Sequence, residues 1–377
     1  MKRTVTVESA LYFTKLSVYL AFTWPPSINA TKWKIVKNDM AILLSYLSIL
    51  CFFIPVVALA ILYNVDSVTL IDAIILMCCF CNYIIKTGVY MVCYVGQILT
   101  YEMEDFVKNA RSHEKAILQC YVDRCWMFHV FVAVTLVLLT IATAIAPLVT
   151  DALLPITALY PFAVDLNLTT YCVTYVHQVI SCFQLLTGLV LIDCQGAVMM
   201  WYAGARLEIL AGEFKSISSV TEFRSIIQKH QRLLAYAIEV SDTISYIALV
   251  TTLSSGLGII LCSIQMISNQ PLSTKTNYGP GILLFLTNLF ICTWPAENLH
   301  HVCDLMAITV YDAAWMDMSP KWRKNCLAIL GRSRRPVKVS IAGFIPTLSF
   351  NFYRSFLSAA FSYFTTLRSV TSLESEK

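Results

Sequence analysis

The sequence predicts an all-α membrane protein with seven transmembrane helices, because its apolar residues are numerous and grouped in long blocks. Of its 377 residues, 58% are hydrophobic and only 13% are charged, against roughly 45–50% and about 25% in soluble domains. A helix needs about 20 apolar residues to cross a hydrocarbon core of about 30 Å. Each block is continuous rather than alternating in polarity, which favours helices over a β-barrel. The seven predicted spans are Met40 to Tyr63, Leu70 to Tyr94, Trp126 to Val149, Thr174 to Met200, Ile244 to Ser268, Pro280 to Cys303 and Ser340 to Leu367.

The distribution of Lys and Arg predicts the orientation of these spans. Residues 1–39 and the loops after spans two, four and six contain 22 of the 27 basic residues, whereas the loops and tail on the other side contain three. Cytoplasmic loops retain positive charge during membrane insertion, so we expect a cytoplasmic N-terminus and an extracellular C-terminus. G-protein-coupled receptors have the opposite arrangement, which disfavours that class.

Two N-glycosylation motifs give an independent expectation about orientation. The first is Asn29-Ala30-Thr31 and the second is Asn167-Leu168-Thr169. Three predicted spans separate them, so they face opposite compartments, and only an extracellular motif can be modified. We expect Asn167 to be a usable acceptor and Asn29 not to be.

The predicted spans divide the chain into four regions. The apolar stretch from Ala10 to Trp24 is expected to form a helix that lies in the membrane interface. Within residues 203–243, a spacing of three or four positions aligns one stripe of residues on a helix, which predicts that spans four and five extend as helices below the membrane. The stripe consists of Phe223, Ile227, His230, Leu234, Ala237 and Ser241. The predicted regions are a cytoplasmic segment over 1–39, spans one to six over 40–303 with a cytoplasmic helical extension over 201–243, a cytoplasmic anchor helix over 304–339 that ends at Pro336, and the last span with a short extracellular tail over 340–377.

Charged residues inside spans are expensive and therefore mark candidate functional positions. Asp72, Asp193 and Glu297 lie near predicted span ends, where we expect their carboxylates to reach water. Lys86 and Arg354 lie deeper, so each is expected to have a partner or an aqueous path.

Motifs for enzyme chemistry are missing from the sequence. It contains no phosphate-binding G-x-x-x-x-G-K-[ST], no zinc-protease H-E-x-x-H and no nucleophile-elbow G-x-S-x-G. Cys78 and Cys81 form a single C-x-x-C without a second pair or a histidine, which favours core packing over a metal site. The chain has a net charge of +4, and most of its basic residues lie in the predicted cytoplasmic segments, where they set the orientation of the spans. This charge therefore does not indicate a nucleic-acid partner. We therefore predict no enzymatic activity, cofactor, metal site or nucleic-acid partner.

The C-terminal third resembles the insect odorant receptor family. Three blocks carry the resemblance: Tyr311 to Trp315 (YDAAW), Arg332 to Pro336 (RSRRP) and Phe361 to Arg368 (FSYFTTLR). Weaker similarity extends back through the segment around His230, the Leu159-Tyr160-Pro161-Phe162 loop and Trp24-Pro25. Insect gustatory receptors share the architecture, but their last span has Thr-Tyr followed by Gln-Phe, which this sequence lacks.

The resemblance implies a ligand-gated, poorly selective cation channel that small volatile or semi-volatile odorants open. In this family, odour-binding subunits assemble with a shared co-receptor into a heterotetramer in the plasma membrane of olfactory sensory neurons. The co-receptor has a much longer loop between spans four and five, so a tuning subunit is the better match. The alternatives are a gustatory-receptor-like channel, a G-protein-coupled receptor or a transporter, although the inverted repeats and paired broken helices typical of transporters are not visible.

The resemblance also implies where ligand binding and conduction occur. In the family, the odour pocket lies in the outer half of the bundle among spans two, three, four and six, and the last helix of each subunit lines the pore. Aligning the last helix on Tyr363 and Phe364 places the pore constriction at Thr366 and Val370, with Tyr363 also a pore candidate. Candidates for the odour pocket, chosen by depth and residue type, are Met77, Phe80, Cys81, Thr140, Thr143, His177, Ser181, Phe183, Phe285 and Asn288.

Overall fold

The computed structural model forms a helical bundle. It describes residues 5–19, 23–26, 30–62, 66–92, 94–149, 153–165, 167–215, 220–268, 272–312, 320–333, 335–340, 344 and 347–375. Within these residues the regular structure is entirely α-helical, which confirms the predicted fold class. The helices are α1 (Val7–Ser17), α2 (Lys32–Leu62), α3 (Ser67–Val92), α4 (Tyr94–Asn109), α5 (Ser112–Val149), α6 (Leu168–Lys215), α7 (Val220–Ile267), α8 (Leu272–Asp312), α9 (Pro320–Ser333) and α10 (Phe350–Ser375).

Six of the described helices are long and apolar enough to cross a membrane. They are α2, α3, α5, α6, α7 and α8, and each contains all or nearly all of one of the first six predicted spans. The predicted cytoplasmic extensions are also helical, since α6 continues to Lys215 and α7 begins at Val220. Each of these two helices has 48 residues, so it is about 72 Å long at about 1.5 Å per residue. That length is more than twice the thickness of a hydrocarbon core of about 30 Å.

The last helix begins later than the sequence predicted. We expected a span from Ser340, but α10 starts at Phe350. The sequence accounts for the difference at Pro346, because proline lacks the N–H that a helix interior needs and disfavours the helical conformation of the residue before it. Arg354 therefore lies in the second turn of α10, where its side chain is exposed. The expectation that Arg354 lies deep within a span was wrong.

Two other helices differ from the predicted outline. In the region of the anchor helix expected over 304–339, α8 is described to Asp312 and α9 from Pro320 to Ser333, and the residues between them lie outside the described part of the structure. The helix α4 was not predicted, although Leu99, Met103 and Val107 are buried at a spacing of four residues. This spacing is typical of one helical face. Helix α1 covers the first part of the Ala10 to Trp24 stretch, where an interfacial helix was expected, and ends at Ser17.

The core of the bundle is formed by α6, α7 and α8. In their most apolar segments, 61%, 56% and 50% of the residues are buried, compared with 28% in α2, 22% in α3 and 11% in α5. The three outer helices therefore expose most of their apolar side chains, as expected of helices that face lipid. The last helix α10 packs mainly against α7 and α8.

A chain of aromatic rings connects the centre of the bundle to the base of α10. Trp201 of α6 meets Trp294 of α8 with ring centroids 5.3 Å apart. Trp294 lies 5.8 Å from Phe290, and Phe290 lies 5.5 Å from Tyr353 of α10. These are normal distances for favourable aromatic pairs. We call these four residues the aromatic chain.

Candidate functional site

A buried ion pair joins the outer helix α3 to the core. The Nζ atom of Lys86 lies 2.7 Å from Oδ2 of Asp193 on α6, and neither side chain is exposed. Lys86 also donates to the Leu189 carbonyl at 2.8 Å. The Thr251 hydroxyl of α7 donates to the Asp193 carboxylate at 3.1 Å and 3.2 Å. Charged groups at membrane depth need such partners.

The ion pair decides two of our sequence-based expectations. Lys86 was expected to have a partner or an aqueous path, and Asp193 is its partner. Asp193 was expected to reach water near a span end, which was wrong because its side chain is fully buried. Helix α6 continues well beyond the predicted span, so Asp193 lies inside the helical core rather than at its edge.

Further polar side chains surround the ion pair. Asn82 of α3 donates to Ser254 of α7 at 2.6 Å, and Asn288 of α8 donates to the Leu189 carbonyl at 3.1 Å. The Oδ1 atoms of Asn82 and Asn288 are buried and accept no hydrogen bond from the described residues. The Ser181 hydroxyl, which lies earlier on α6, is also buried without a partner among those residues. Four helices therefore meet at a polar region with hydrogen-bonding capacity left over. Sequence reasoning selected Ser181 and Asn288 but missed Asn82, Thr251 and Ser254.

The ten candidates for the odour pocket lie on the predicted helices but in different packing environments. Phe80 stacks on Phe53 of α2 with centroids 4.0 Å apart. His177 contacts Ser48 of α2, with Nε2 lying 3.2 Å from the hydroxyl. Phe285 belongs instead to the main core and packs at Gly258 of α7.

Burial separates the same ten residues further. Those buried are Phe80, Ser181, Phe285 and Asn288; those half-buried are Thr140, Thr143, His177 and Phe183; those exposed are Met77 and Cys81. The Thr140 and Thr143 hydroxyls donate to carbonyls of their own helix, those of Leu136 and Leu139. The pocket assignment therefore stays a prediction.

The loop between α5 and α6 is fixed over the predicted outer end of the bundle. The Gln178 side chain of α6 accepts a hydrogen bond from the Ile156 N–H and donates to its carbonyl, both at 3.0 Å. It also donates to the Tyr160 hydroxyl at 3.2 Å. The Leu159 N–H donates to the Pro55 carbonyl of α2 at 2.9 Å. The buried Gln178 amide thus holds the described part of this loop against α6, and the Leu159 N–H holds it against α2.

Two of the predicted pore residues, Tyr363 and Thr366, have exposed side chains on α10. Tyr363 is 59% exposed, and Thr366 is also exposed. The Thr366 hydroxyl donates to the Ser362 carbonyl at 2.8 Å, so it is bonded to its own helix. Val370 belongs to α10, but its side chain lies outside the described part of the structure.

The base of α10 is attached to α8. The Glu297 carboxylate accepts a hydrogen bond at 3.2 Å from the N–H of Phe350, the first residue of α10. A carboxylate at a helix N-terminus is also favoured by the helix dipole. The Tyr353 hydroxyl donates to the Leu286 carbonyl at 3.3 Å. The first turn of α10 is therefore fixed, whereas its later turns have exposed side chains.

Some of the sequence motifs fall partly outside the described residues. Asn167 is exposed and directly precedes α6, whereas Asn29 lies outside the described part. Ala313 to Trp315 and Arg334, from two of the blocks that carry the resemblance, also lie outside it.

Comparison with known sequences identifies a family and several relatives. A family model described as 7tm Odorant receptor matches residues 107–361, more than half of the chain. Odorant receptor 10 of Aedes albopictus is 27% identical over 147 residues, which is 38% of this chain and 38% of that protein. Odorant receptor Or2 of Anopheles gambiae is 26% identical over 152 residues, 40% of this chain and 39% of that protein. The matched region thus spans about two fifths of the length of these relatives.

Comparison with solved structures extends the likeness of fold to almost the whole chain. The olfactory receptor OR5 of the insect Machilis hrabei, in complex with eugenol, superposes with a TM-score of 0.77 at 16% identity and 97% coverage of both chains. The structure of OR5 described without eugenol gives a TM-score of 0.79 at 15% identity, covering 95% of this chain and 98% of that one. At such low identity the likeness establishes the fold.

Proposed function

Because the chain belongs to the 7tm odorant receptor family, we propose that it is an odour-tuned subunit of a ligand-gated, poorly selective cation channel. In this proposal it assembles with a shared co-receptor into a heterotetramer in the plasma membrane of olfactory sensory neurons. Small volatile or semi-volatile odorants open the channel. The observation that carries the proposal is the likeness of fold, over nearly the whole chain, to a Machilis hrabei receptor described in complex with eugenol.

The connection between α6 and α7 supports a tuning subunit rather than a co-receptor. Helix α6 ends at Lys215 and α7 begins at Val220. The connection between these helices is therefore much shorter than the long loop that characterises the co-receptor at this position. A tuning subunit varies its ligand pocket, so its odorant specificity depends on its own side chains.

The odour site is proposed among α3, α5, α6 and α8 in the outer half of the bundle. Ligand pockets are mostly apolar, with a few polar groups that orient the ligand. Phe80 and Phe285 supply buried aromatic surface, while Ser181 and Asn288 each have a buried oxygen without a partner among the described residues. This combination suits an odorant with an apolar body and one hydrogen-bonding group.

Conduction is proposed along α10, with Thr366 and Val370 at the constriction and Tyr363 nearby. The support is that α10 is attached at its base by Glu297 but exposes its later side chains in the isolated subunit. A helix with exposed Tyr, Ser and Thr side chains fits a surface that meets water or other subunits better than one that meets lipid. Thr366 makes the constriction less apolar on this subunit, so the co-receptor would supply the apolar part of a gate that closes by dewetting.

Whole-cell recording tests the proposal directly. The chain is expressed with and without the co-receptor, G-protein signalling is blocked, and a panel of volatile ligands is applied. We expect rapid cation current only when both chains are present. Current that disappears when G proteins are blocked would indicate a G-protein-coupled receptor, and substrate uptake without channel-like current would indicate a transporter.

A further inference from the structure

Three metal-ligating side chains converge between the start of α5 and the end of α6. They are His113 and Glu114 of α5 and Glu213 of α6, and one ligand atom from each lies within 4.8 Å of the others. Among the described residues, no other group of three or more His, Cys, Asp and Glu side chains has this geometry. Sequence motifs predicted no metal site, and they do not locate this one because Glu213 lies far along the chain from the other two residues.

The cluster lies on the predicted cytoplasmic side, away from the proposed odour pocket and pore. His113 and Glu114 belong to the predicted loop before span three, and Glu213 belongs to the cytoplasmic extension of span four. His113 and Glu213 line an open cleft of about 300 Å³, whose other walls are Arg111 and the first part of α7. Because His113 is exposed, a hydrated ion can reach the cluster through this cleft.

Neighbouring groups orient both carboxylates of the cluster. The N–H of Arg111 donates to Oε2 of Glu114 at 2.6 Å, as in the capping box of a helix. The Lys229 ammonium of α7 donates to Oε2 of Glu213 at 2.6 Å. A carboxylate has about four acceptor sites, so it can bind an ion while it accepts hydrogen bonds. Partners of this kind hold metal ligands in place in known sites.

The local charge favours a cation. The two carboxylates of the cluster and the Lys229 ammonium together have a charge of −1 at neutral pH, while Arg111 and Glu222 in the cleft wall balance each other. The Lys229 side chain is 51% exposed, and exposed ion pairs of this kind are individually weak. Its ammonium can therefore return to water when an ion binds Glu213.

We propose that His113, Glu114 and Glu213 form a site for a divalent transition ion of the Zn²⁺ type. Imidazole nitrogen is a ligand that Zn²⁺, Ni²⁺ and Cu²⁺ bind readily, whereas Mg²⁺ and Ca²⁺ prefer sites made of oxygen alone. The ion joins the beginning of α5 to the end of α6, next to the connection to α7. Three protein ligands leave the fourth position of a tetrahedral zinc site to water.

The geometry requires only a small adjustment of the side chains. In a tetrahedral zinc site with bonds of about 2.1 Å, the ligand atoms lie about 3.4 Å apart. The present separations of up to 4.8 Å therefore shorten by at most about 1.4 Å on binding. His113 is exposed and both glutamates are half-buried, so rotation of these side chains achieves this change without movement of the helices.

Isothermal titration calorimetry of the full-length protein tests this assignment, with ZnCl₂ as the probe. The protein is purified in detergent without a polyhistidine tag. Its exposed thiols, which include Cys120 and Cys172, are alkylated beforehand because thiolates also bind zinc. We expect saturable binding of one Zn²⁺ per chain that an excess of Mg²⁺ or Ca²⁺ does not displace.

Substitution of the ligands should remove this binding. We expect His113→Ala and Glu213→Gln each to weaken Zn²⁺ binding at least about tenfold, since loss of an outer-shell partner alone costs about 10- to 100-fold. The matched control is His300→Ala. His300 lies 3.4 Å from Asp304 on α8, and this pair has no third ligand among the described residues. The control should bind Zn²⁺ as tightly as the unmodified chain.

Thermal unfolding gives a second readout that does not depend on heats of binding. An ion that binds only the folded state raises the unfolding temperature by mass action. Saturating ZnCl₂ should therefore raise the unfolding temperature of the unmodified protein and of His300→Ala, but not that of His113→Ala.

Three outcomes would overturn the proposal. Equal Zn²⁺ affinities of His113→Ala and His300→Ala would place the ion elsewhere. Displacement of Zn²⁺ by Mg²⁺ or Ca²⁺ at similar concentrations would show an unspecific acidic surface. Titration of the alkylated protein without saturable heat, together with an unfolding temperature that ZnCl₂ does not change, would show that the cluster binds no ion of this type.

Discussion

Lys86 of α3 and Asp193 of α6 form an ion pair of 2.7 Å in which neither side chain is exposed. The pair holds an outer helix against the core, and the Thr251 hydroxyl adds α7 to the same contact. Removing one partner would leave an unpaired charge in a dry region, which typically costs about 3–5 kcal/mol. Removing both charges together is expected to cost much less.

Substitutions at this pair should therefore be strongly non-additive. We expect Lys86→Met and Asp193→Leu each to lower the thermal stability of the detergent-solubilised protein markedly, and the double variant to recover at least half of that loss. Thermal unfolding followed by fluorescence-detected size-exclusion chromatography measures this. The control is the exposed pair between Lys229 and Glu213 at 2.6 Å, whose disruption should cost about 1 kcal/mol or less. Simple additivity of the two core substitutions would show that they do not interact.

A second prediction concerns the contact between α7 and α8 at Gly258. A Cβ atom at this position would overlap the ring of the buried Phe285. Gly258→Ala should therefore destabilise the bundle by about 1–3 kcal/mol through overpacking, and Phe285→Leu in the same chain should restore part of the loss. At Gly212 a Cβ would meet no atom within 4 Å, so Gly212→Ala serves as the control and should be neutral or stabilising. Equal effects of the two alanine substitutions would refute a tight contact.

A third prediction follows from His230, which is buried below the predicted inner membrane surface. Burial, with a smaller effect from the Arg332 guanidinium, lowers the pKa of His230 to about 4. The unfolded chain, in which a histidine has a pKa of about 6.5, therefore takes up a proton between about pH 6.5 and 4 that the folded chain does not. The contribution of His230 to the free energy of unfolding is therefore complete above about pH 6.5 and is lost as the pH is lowered from about 6.5 to about 4.

The measurement is thermal stability at about pH 7.5 and about pH 5.5, a step that should cost about 1 kcal/mol through this one residue. His230→Gln should reduce the loss of stability on acidification by that amount. The control is His301→Gln, at an exposed position of α8. Its loss of thermal stability on acidification should equal that of the unmodified chain. Identical pH dependence of both variants would mean that His230 does not titrate as described.

A fourth prediction concerns the outer part of α10. Cysteines introduced at Thr366 or Val370 should react with extracellular thiol reagents in the assembled channel, and the reaction should change the current or the ion selectivity. Phe356→Cys is the control, because Phe356 is half-buried and faces Gly256 of α7. It should react slowly. If Thr366→Cys reacts without any change in conductance while positions on another helix do change it, α10 is a scaffold rather than the pore lining.

A fifth prediction tests the orientation of the chain. Glycosidase treatment should shift the electrophoretic mobility of the unmodified protein and of Asn29→Gln, but not of Asn167→Gln. The exposed position of Asn167 directly before α6 makes it accessible to the modifying enzyme. A shift that survives Asn167→Gln and disappears with Asn29→Gln would reverse the predicted topology.

The sequence predicted most of the long helices but not their contacts. Long apolar runs predict helices because only a closed hydrogen-bonded backbone is stable in lipid, and each of the first six predicted spans corresponds to one long apolar helix. The boundaries were less accurate wherever a helix continues into water, as α6 does beyond Met200. Apolar composition marks where a helix meets lipid, not where it ends.

The polar contacts of the candidate site show the same limit. Lys86 and Asp193 could each be recognised as a charge within an apolar run, but the sequence does not specify that they face each other. Their pairing depends on the rotation of α3 relative to α6, which many distant packing contacts determine together. The same holds for Phe80 and His177, which were selected by depth and in fact contact α2.

The unequal burial of the spans has an evolutionary consequence. In the most apolar segments of α2, α3 and α5, at most 28% of the residues are buried. In the corresponding segments of α6, α7 and α8, at least half of the residues are buried. Lipid accepts any apolar side chain of ordinary size, so selection at the outer positions acts on hydrophobicity rather than on residue identity. The outer helices can therefore accumulate neutral exchanges among Leu, Ile, Val and Phe while the inner three keep the packing. A lineage that diversifies its receptors can therefore accept many substitutions at the outer positions. At a smaller number of inner positions, one substitution alters the fold.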